Sequence, residues 1–401
     1  MSVPTRSWLT RNLVILTLVS LTQDAASELL YPLLPLLLTG ILGAPAVVLG
    51  TIEGIAEATA GITKYVSGRW SDRRGRKPFV AAGYGLAAVG KVLVAAAWAW
   101  PVVLVGRVVD RFGKGVRAAP RDALIASSVP AAALGRAFGF HRMGDSVGAV
   151  IGPLLGLLAL SLLDGNVRAA LWWAVVPAIL SVLLVFLVRE RRPTPKTTAA
   201  DVHTPGEHLL SSSPLPPAFW RVTVVLVTIA LVNFPDALLL LRVMNLGFST
   251  TQVVLAYVAF NVVYALASYP AGVLADHWPR PVVYALGLTA FGVGYLGLGL
   301  VGSGPAVFVL IAVYGLFPAF TDGVGKAWVS ALVPDEHRGR AQGVFQAFTA
   351  GAILVAGLWA GVLWTTGPGA GTVPLIVSGI VGLVAAISML LARRWLGKVD
   401  S

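Results

Sequence analysis

Cysteine is absent from the 401 residues, which removes disulfides, thiolate metal sites and thiol nucleophiles together. Charge is nearly as scarce: 12% of the chain is Asp, Glu, Lys or Arg, about half of what a water-soluble chain carries. With 57% hydrophobic residues and a mean hydropathy of +0.81, too little polar surface remains to cover a soluble globule. Soft-metal chemistry is poorly served by four Met and five His, of which only His141 lies inside an apolar run. A hard-cation site built on carboxylates stays open, but no metal set is assigned. There is no HExxH run, Walker loop or Ser-His-Asp set, so zinc hydrolysis, ATP use and acyl-enzyme chemistry have no residues to run on. No enzyme activity and no cofactor are implied.

What the chain does have is apolar length. One spanning helix takes about 20 apolar residues, and about 33 with its connection, so 401 residues accommodate twelve. Apolar runs bounded by charge and turns fall near 12–40, 47–68, 79–99, 101–127, 136–162 and 167–188, then near 218–242, 251–274, 281–301, 305–333, 340–364 and 372–392. The first run does not read as a signal peptide, because it is long and is interrupted by Asp24 and Glu28.

Basic residues set the orientation. Arg6 and Arg11 precede span one; Arg69, Arg73, Arg74, Arg76 and Lys77 follow span two; Arg136 follows span four. Arg189, Arg191, Arg192, Lys196 and Arg221 separate spans six and seven, and Arg280, Arg338, Arg340, Arg393, Arg394 and Lys398 complete the set. Nineteen of the thirty Lys and Arg thus fall in alternate loops, while among the opposite loops only Arg168 breaks the pattern. The positive-inside rule then puts both termini in the cytoplasm of a multi-pass plasma (inner) membrane protein. Those loops account for most of the net charge of +12, so nucleic acid is excluded as a partner and the lipid bilayer is implied.

The polar stretch Pro193–Pro217 is too short to hold a core and reads as a cytoplasmic linker. The expected organisation is a six-helix bundle over 1–188, a linker over 189–217 and a second six-helix bundle over 218–401. The two halves resemble each other at a fixed offset of 204 residues: Gly43 matches Gly247, Gly68 matches Gly272, Asp72 matches Asp276 and Pro130 matches Pro334. Gly135-Arg136-Ala137 with Gly139 likewise matches Gly339-Arg340-Ala341 with Gly343. Parallel six-helix repeats are a transporter signature, with the substrate site expected where the repeats meet.

The sharpest motif is Gly68-Arg69-Trp70-Ser71-Asp72-Arg73-Arg74-Gly75-Arg76-Lys77. It resembles the G-x-x-x-D-x-x-G-R-[RK] loop of the major facilitator superfamily, every fixed position being matched. Gly272-Val273-Leu274-Ala275-Asp276 repeats it in eroded form. The resemblance extends over the whole chain through span count, linker and repeat. It implies a gating role for Gly68, Asp72, Arg73, Gly75, Arg76, Lys77 and Asp276. The aspartate would latch the cytoplasmic side shut by pairing with cations and a helix N-terminus, where a carboxylate is stabilised. Arg117 or Arg121 is its expected partner.

Span five carries Gly148-Ala149-Val150-Ile151-Gly152-Pro153-Leu154-Leu155-Gly156. This is similar to the G-x-x-x-G-P-x-x-G motif associated, in the same superfamily, with exporters that work as antiporters. Physically, Gly148, Gly152 and Gly156 make a flat face for close helix packing, and Pro153 permits a bend. In span four, Arg107-Val108-Val109-Asp110-Arg111-Phe112-Gly113-Lys114-Gly115 departs from the family spacing, so the coupling role of that helix's arginine does not carry over directly.

A charge at mid-bilayer costs about 2.5–3.5 kcal/mol, so intramembrane charges are expected to be paired. The first half holds Asp24, Glu28, Glu53, Glu57, Asp110, Asp122 and Asp145 against Lys64, Lys91, Arg107, Arg111, Lys114, Arg117, Arg121 and Arg142, whereas the second holds Asp236, Arg242, Asp322 and Lys326. One half is therefore expected to do the charge work and the other to shape the cavity. A buried salt-bridge lattice is the plain alternative, although apolar packing holds helices with less desolvation cost. Asp24, Glu28 and Asp145 are the candidates for proton coupling, with Arg111 or Arg142 as partner. Counted from the basic-loop side, Asp24 lies about 18 Å and Asp145 about 13 Å into the bilayer. Glu53, Glu57, Arg107 and Lys114, with Asn233, Asp236, Asn261, Tyr264, Asp322 and Lys326, are assigned to the cavity wall. His141 reads as a hydrogen-bonded helix residue rather than a proton relay. The expected function is a monomeric secondary transporter exporting a small amphipathic compound in exchange for protons. A proton- or ion-coupled importer, and in another class a membrane enzyme or scramblase, are the alternatives.

Overall fold

The computed structural model describes residues 9–130, 134–190, 215–334 and 337–396. Among them every regular element is helical: α1 (Arg11–Leu30), α2 (Ala46–Arg74), α3 (Arg76–Ala95), α4 (Trp100–Ser128), α5 (Leu134–Leu162), α6 (Val167–Trp173), α7 (Val175–Phe186) and α8 (Pro217–Ala230). There follow α9 (Asp236–Asn245), α10 (Thr250–His277), α11 (Arg280–Leu300), α12 (Ala306–Tyr314), α13 (Leu316–Ala331), α14 (Arg338–Val362), α15 (Thr372–Leu391) and the short α16 (Arg393–Leu396).

Among the described residues, ten helical segments are long and apolar enough to cross a membrane. Two further spans fall short for different reasons. The 29-residue α4 is long enough but carries seven charged side chains between Arg107 and Asp122. The seventh span is broken, α8 ending at Ala230 and α9 starting at Asp236. Together these are the twelve spans of an all-α membrane protein.

The chain divides into two compact units, one comprising 1–33 and 59–201, the other 34–58 and 202–401. In the first, α3 lies along α4, and α1 along α5 and α7. Glycine sets the closeness of the first contact: a Cβ on Gly90 would sit 2.5 Å from the Gly106 carbonyl, and one on Gly106 2.8 Å from that of Gly90. Leu13, Leu16, Val19, Tyr84, Ile125 and Val185 form its apolar core. In the second unit, α11 packs on α13 and α15. The N-terminal half of α2 belongs to this unit and presses Gly50 against Gly357 and Gly54 against Leu354 of α14, backbone on backbone.

The repeated glycines have a conformational reason. Gly43, just before α2, has φ +64°, and Gly247, just before α10, has φ +87°; side chains rarely adopt either. The first and seventh spans also lose α geometry at related places. The first passes through a 3-10 turn at Tyr31–Leu33 into a π-helical segment at Leu36–Ile41. The seventh opens over 231–235, which would strand carbonyls in a medium without water. Side chains satisfy them: Trp359 Nε1 donates to Leu231 O at 2.8 Å, Ser378 Oγ to Val232 O at 2.7 Å, and Tyr295 OH to Phe234 O at 3.2 Å. Arg242 does the same for the end of α11, donating to Leu298, Gly299 and Val301 carbonyls and to Ala370 O.

Candidate functional site

The glycines of α5 place it against the acids of α1. A Cβ on Gly148 would lie 2.5 Å from Leu21 O and 3.2 Å from the Asp24 Cβ; one on Gly152 would lie 2.5 Å from Ala25 O and 2.9 Å from the Glu28 Cβ. Gly156 continues the contact at Leu29, and Pro153 sits within the unbroken helix. The glycine spacing read from sequence as a packing face therefore seats α5 on the two acids of span one.

Asp24 is half-buried, with Asp145 of α5 and Arg117, Lys114 and Arg121 of α4 as its charged neighbours. Arg121 donates to Ser20 Oγ of α1 at 2.9 Å and pairs with the adjacent Asp122 at 3.0 Å. Asp145 has Arg142 at 3.8 Å and His141 at 3.7 Å, both on its own helix. Arg142 is 78% exposed at its side chain, so its hold on Asp145 is weak. Two acids from different helices thus lie among three cations of α4. Of the coupling residues expected from sequence, Asp24 and Asp145 are brought together. Glu28 is half-buried one turn further along, and Arg111 is among the charges acting on Asp110. His141 departs from expectation: it is 3% exposed, yet neither ring nitrogen makes a hydrogen bond.

A second charge cluster fills the contact between α3 and α4. Lys91 Nζ donates to Asp110 Oδ1 at 3.0 Å and Arg107 reaches Oδ2 at 3.5 Å, all three side chains being buried. Arg107 also lies over the Tyr31 ring at 5.8 Å. Arg107, expected on the cavity wall, has a side chain 2% exposed. Lys114, on the same stripe, is exposed. Glu53 is buried and Glu57 half-buried on the N-terminal half of α2.

The motif after span two is described in its later part. The side chains of Gly68, Asp72 and Arg73, and that of Asp276, lie outside the described residues. Arg117 stacks over the Tyr84 ring at 4.5 Å and donates to Gly83 O at 3.5 Å, while Arg121 is engaged as above. Gly75, at φ +93°, turns the chain into α3. The first amides of α3, Arg76 N and Lys77 N, donate to Glu190 Oε1 and Oε2 at 2.8 and 3.1 Å. Glu190 is thus a carboxylate seated on the N-terminus of α3, where the helix favours negative charge. Lys77 Nζ in turn donates to Phe186 O and Val188 O at the end of α7, and Arg76 to Ala123 O of α4. Sequence reasoning missed Glu190; the available signal was a lone acid within Arg189-Glu190-Arg191-Arg192.

The second unit is built differently. Tyr257, Phe260 and Tyr264 of α10 stack along one face, and Phe260 stacks on Tyr314, which stacks on Phe317. Phe291, Tyr295 and Phe234 extend the ladder. Its polar ends meet the expected cavity residues. Tyr314 OH donates to Asp236 Oδ1 at 2.6 Å, Tyr264 OH to Asp322 Oδ2 at 3.3 Å, and Tyr295 OH to Asn233 Oδ1 at 3.4 Å. Asn261 turns back on its own helix, donating to Tyr257 O at 3.0 Å. Asp322 and Lys326 are exposed within α13; charges exposed in a span face water rather than lipid.

The described residues thus form a twelve-span, all-α membrane protein with charged side chains inside its spans. The model of the Major Facilitator Superfamily matches residues 16–244 and 237–400, and the chain belongs to that superfamily. It is 30% identical over 384 residues to an uncharacterized MFS-type transporter of Methanocaldococcus jannaschii, covering 93% of this chain and 94% of the relative. It is 26% identical over 394 residues to the class C tetracycline resistance protein of Escherichia coli, covering 89% of this chain and 93% of that protein. Its fold is similar to the crystal structure of a nucleoside transporter, with a TM-score of 0.77 at 12% identity over 97% of this chain and all of the other.

Proposed function

We propose that the protein is a secondary active exporter that exchanges a small amphipathic compound for protons by alternating access. It would work as a monomer in the inner membrane, with both termini in the cytoplasm. The observation that carries this reading is the seating of α5 on Asp24 and Glu28 by Gly148 and Gly152, which brings Asp145 into the charged surroundings of Asp24. Protonation of this site changes which of its acids the cations Arg117, Lys114 and Arg121 can hold, and so changes which arrangement of α1, α4 and α5 is stable. The tetracycline resistance relative supports export. The aromatic ladder and the carboxylates Asp236 and Asp322 support a second unit that shapes the compartment for an amphipathic molecule, with Asn233, Asn261, Tyr264 and Lys326 beside it. Domains over 1–188 and 218–401, joined by 189–217, belong to the same reading, as does an Asp72 latch.

The test is transport in proteoliposomes with an imposed pH gradient, using a panel of amphipathic compounds that includes tetracycline. Proton flow down its gradient driving a compound the opposite way is the expected result. Movement in the same direction as the protons favours a coupled importer, and gradient-independent equilibration of the whole panel overturns the coupling.

A further inference from the structure

Most buried polar side chains of the first unit have hydrogen-bond partners, which makes the exceptions informative. His141 of α5 is buried with both ring nitrogens idle. Its Nε2 lies 3.7 Å from Asp145 Oδ1, and that oxygen is buried and idle as well. The separation is longer than a hydrogen bond, yet a small side-chain movement closes it. Thr17 of α1, packed on Gly144 between the two residues, also has a buried hydroxyl without a partner. Leaving such groups unmet costs about 1–3 kcal/mol each, and an apolar side chain in place of His141 would avoid that cost. Packing therefore does not account for a histidine here.

The charged groups around the ring come from three helices. Arg121 and Asp122 of α4 and Arg142 and Asp145 of α5 face it, and Asp24 of α1 faces Asp145. Arg142 points largely outward and Arg121 is held by Asp122 and Ser20. Among these groups Asp145 is the one that presents an idle oxygen to the idle nitrogen.

We propose that His141 and Asp145 act as one proton-holding unit, through which protons enter and leave the Asp24–Asp145 site. This rests on the coupling reading above and names the path by which that site is loaded. The imidazole takes a proton from water on one nitrogen and becomes an imidazolium. The Nε2–H bond then breaks as an O–H bond forms at Asp145 Oδ1, leaving a neutral ring and a neutral carboxyl with the total charge of the pair unchanged. Loss of the carboxyl proton to water on the opposite side completes the passage and restores the carboxylate. An imidazole suits this role because one nitrogen can accept while the other donates.

The pair can be tested without any substrate. The full chain in lipid nanodiscs, with isotope-labelled histidine, is titrated by NMR from about pH 3 to about pH 9. His141→Gln, a polar side chain that holds no proton, identifies the resonance among the five histidines. The expected result is a His141 signal that changes protonation state in this range, with Asp145→Asn weakening its proton affinity about tenfold. A signal that does not titrate, or one whose midpoint is the same in Asp145→Asn, overturns the pair. Pulse-labelled trypsin resistance of both variants, matched to the parent, excludes misfolding as the cause. In proteoliposomes, His141→Gln is expected to flatten the pH dependence of gradient-driven transport. A parent without proton-driven transport refutes the coupling reading, whereas the titration decides the pair by itself.

Discussion

The two units solve the same problem, polar groups inside a membrane, by opposite means. In the first, charge is met by charge: Asp110 by Lys91 and Arg107, and Asp24 by three cations of α4. In the second, backbone carbonyls freed by the broken seventh span are met by the neutral donors Trp359, Ser378 and Tyr295, those at the end of α11 by the Arg242 guanidinium, and the Tyr314 and Tyr264 hydroxyls donate to Asp236 and Asp322. A charge lattice changes its preferred geometry when one proton is added or lost; a lattice of neutral donors does not. On the proposed reading, response to protons belongs to the first unit and shape to the second.

The largest expected effect comes from breaking the lattice where it is fully buried. Asp110→Asn leaves Lys91 and Arg107 without their carboxylate, and a loss of about 3–5 kcal/mol in stability is expected, read as a collapse of folded yield or of the thermal midpoint in detergent. Asp236 accepts from the Tyr314 hydroxyl, and Asp322, which is exposed, from that of Tyr264, so neutralising either is expected to cost less. Next in size is the seat of α5. Gly152→Leu puts carbon where Ala25 O and the Glu28 Cβ already are, and should cost about 1–3 kcal/mol by overpacking, with transport falling further than stability. An unchanged thermal midpoint in this variant would show that α1 and α5 are not held as described.

A smaller effect is expected from the second unit. Tyr295→Phe removes the donor to Phe234 O and is expected to cost about 1 kcal/mol, with gradient dependence of transport retained. If that variant uncouples transport from the pH gradient, the division of labour between the units is wrong. The smallest effect belongs to Glu190→Gln, which weakens the charge on the first amides of α3 by about 0.3–1 kcal/mol. Hydrogen exchange confined to the first turn of α3 should report it.

Much of this architecture is legible in the sequence because lipid imposes simple rules. Apolar length places the spans, and the match of Gly43 with Gly247 marks two turns that need a positive φ. The charge asymmetry between halves is also visible without a structure. Other features depend on tertiary contacts that no local pattern encodes. Lys91 and Asp110 lie on different helices, and their pairing follows from Gly90 and Gly106 letting those helices touch. The break at 231–235 is stable because Trp359 and Ser378, more than 120 residues away, happen to reach it. Glu190 was hidden by its basic neighbours, and His141 reads as an ordinary helical residue until its neighbours are known to leave it unmet.

The central claim, that proton response resides in the first unit, is tested most directly by pairing two sets of neutralisations in proteoliposomes. Asp24→Asn and Asp145→Asn are compared with Asp236→Asn and Asp322→Asn, for a compound the parent transports, under an imposed pH gradient and again at equal pH. The account predicts that the first pair lose gradient-driven accumulation but keep exchange at equal pH, while the second pair keep gradient dependence and differ only in which compounds they move. Full gradient-driven accumulation in Asp24→Asn and Asp145→Asn, with its loss in Asp236→Asn or Asp322→Asn, would contradict it.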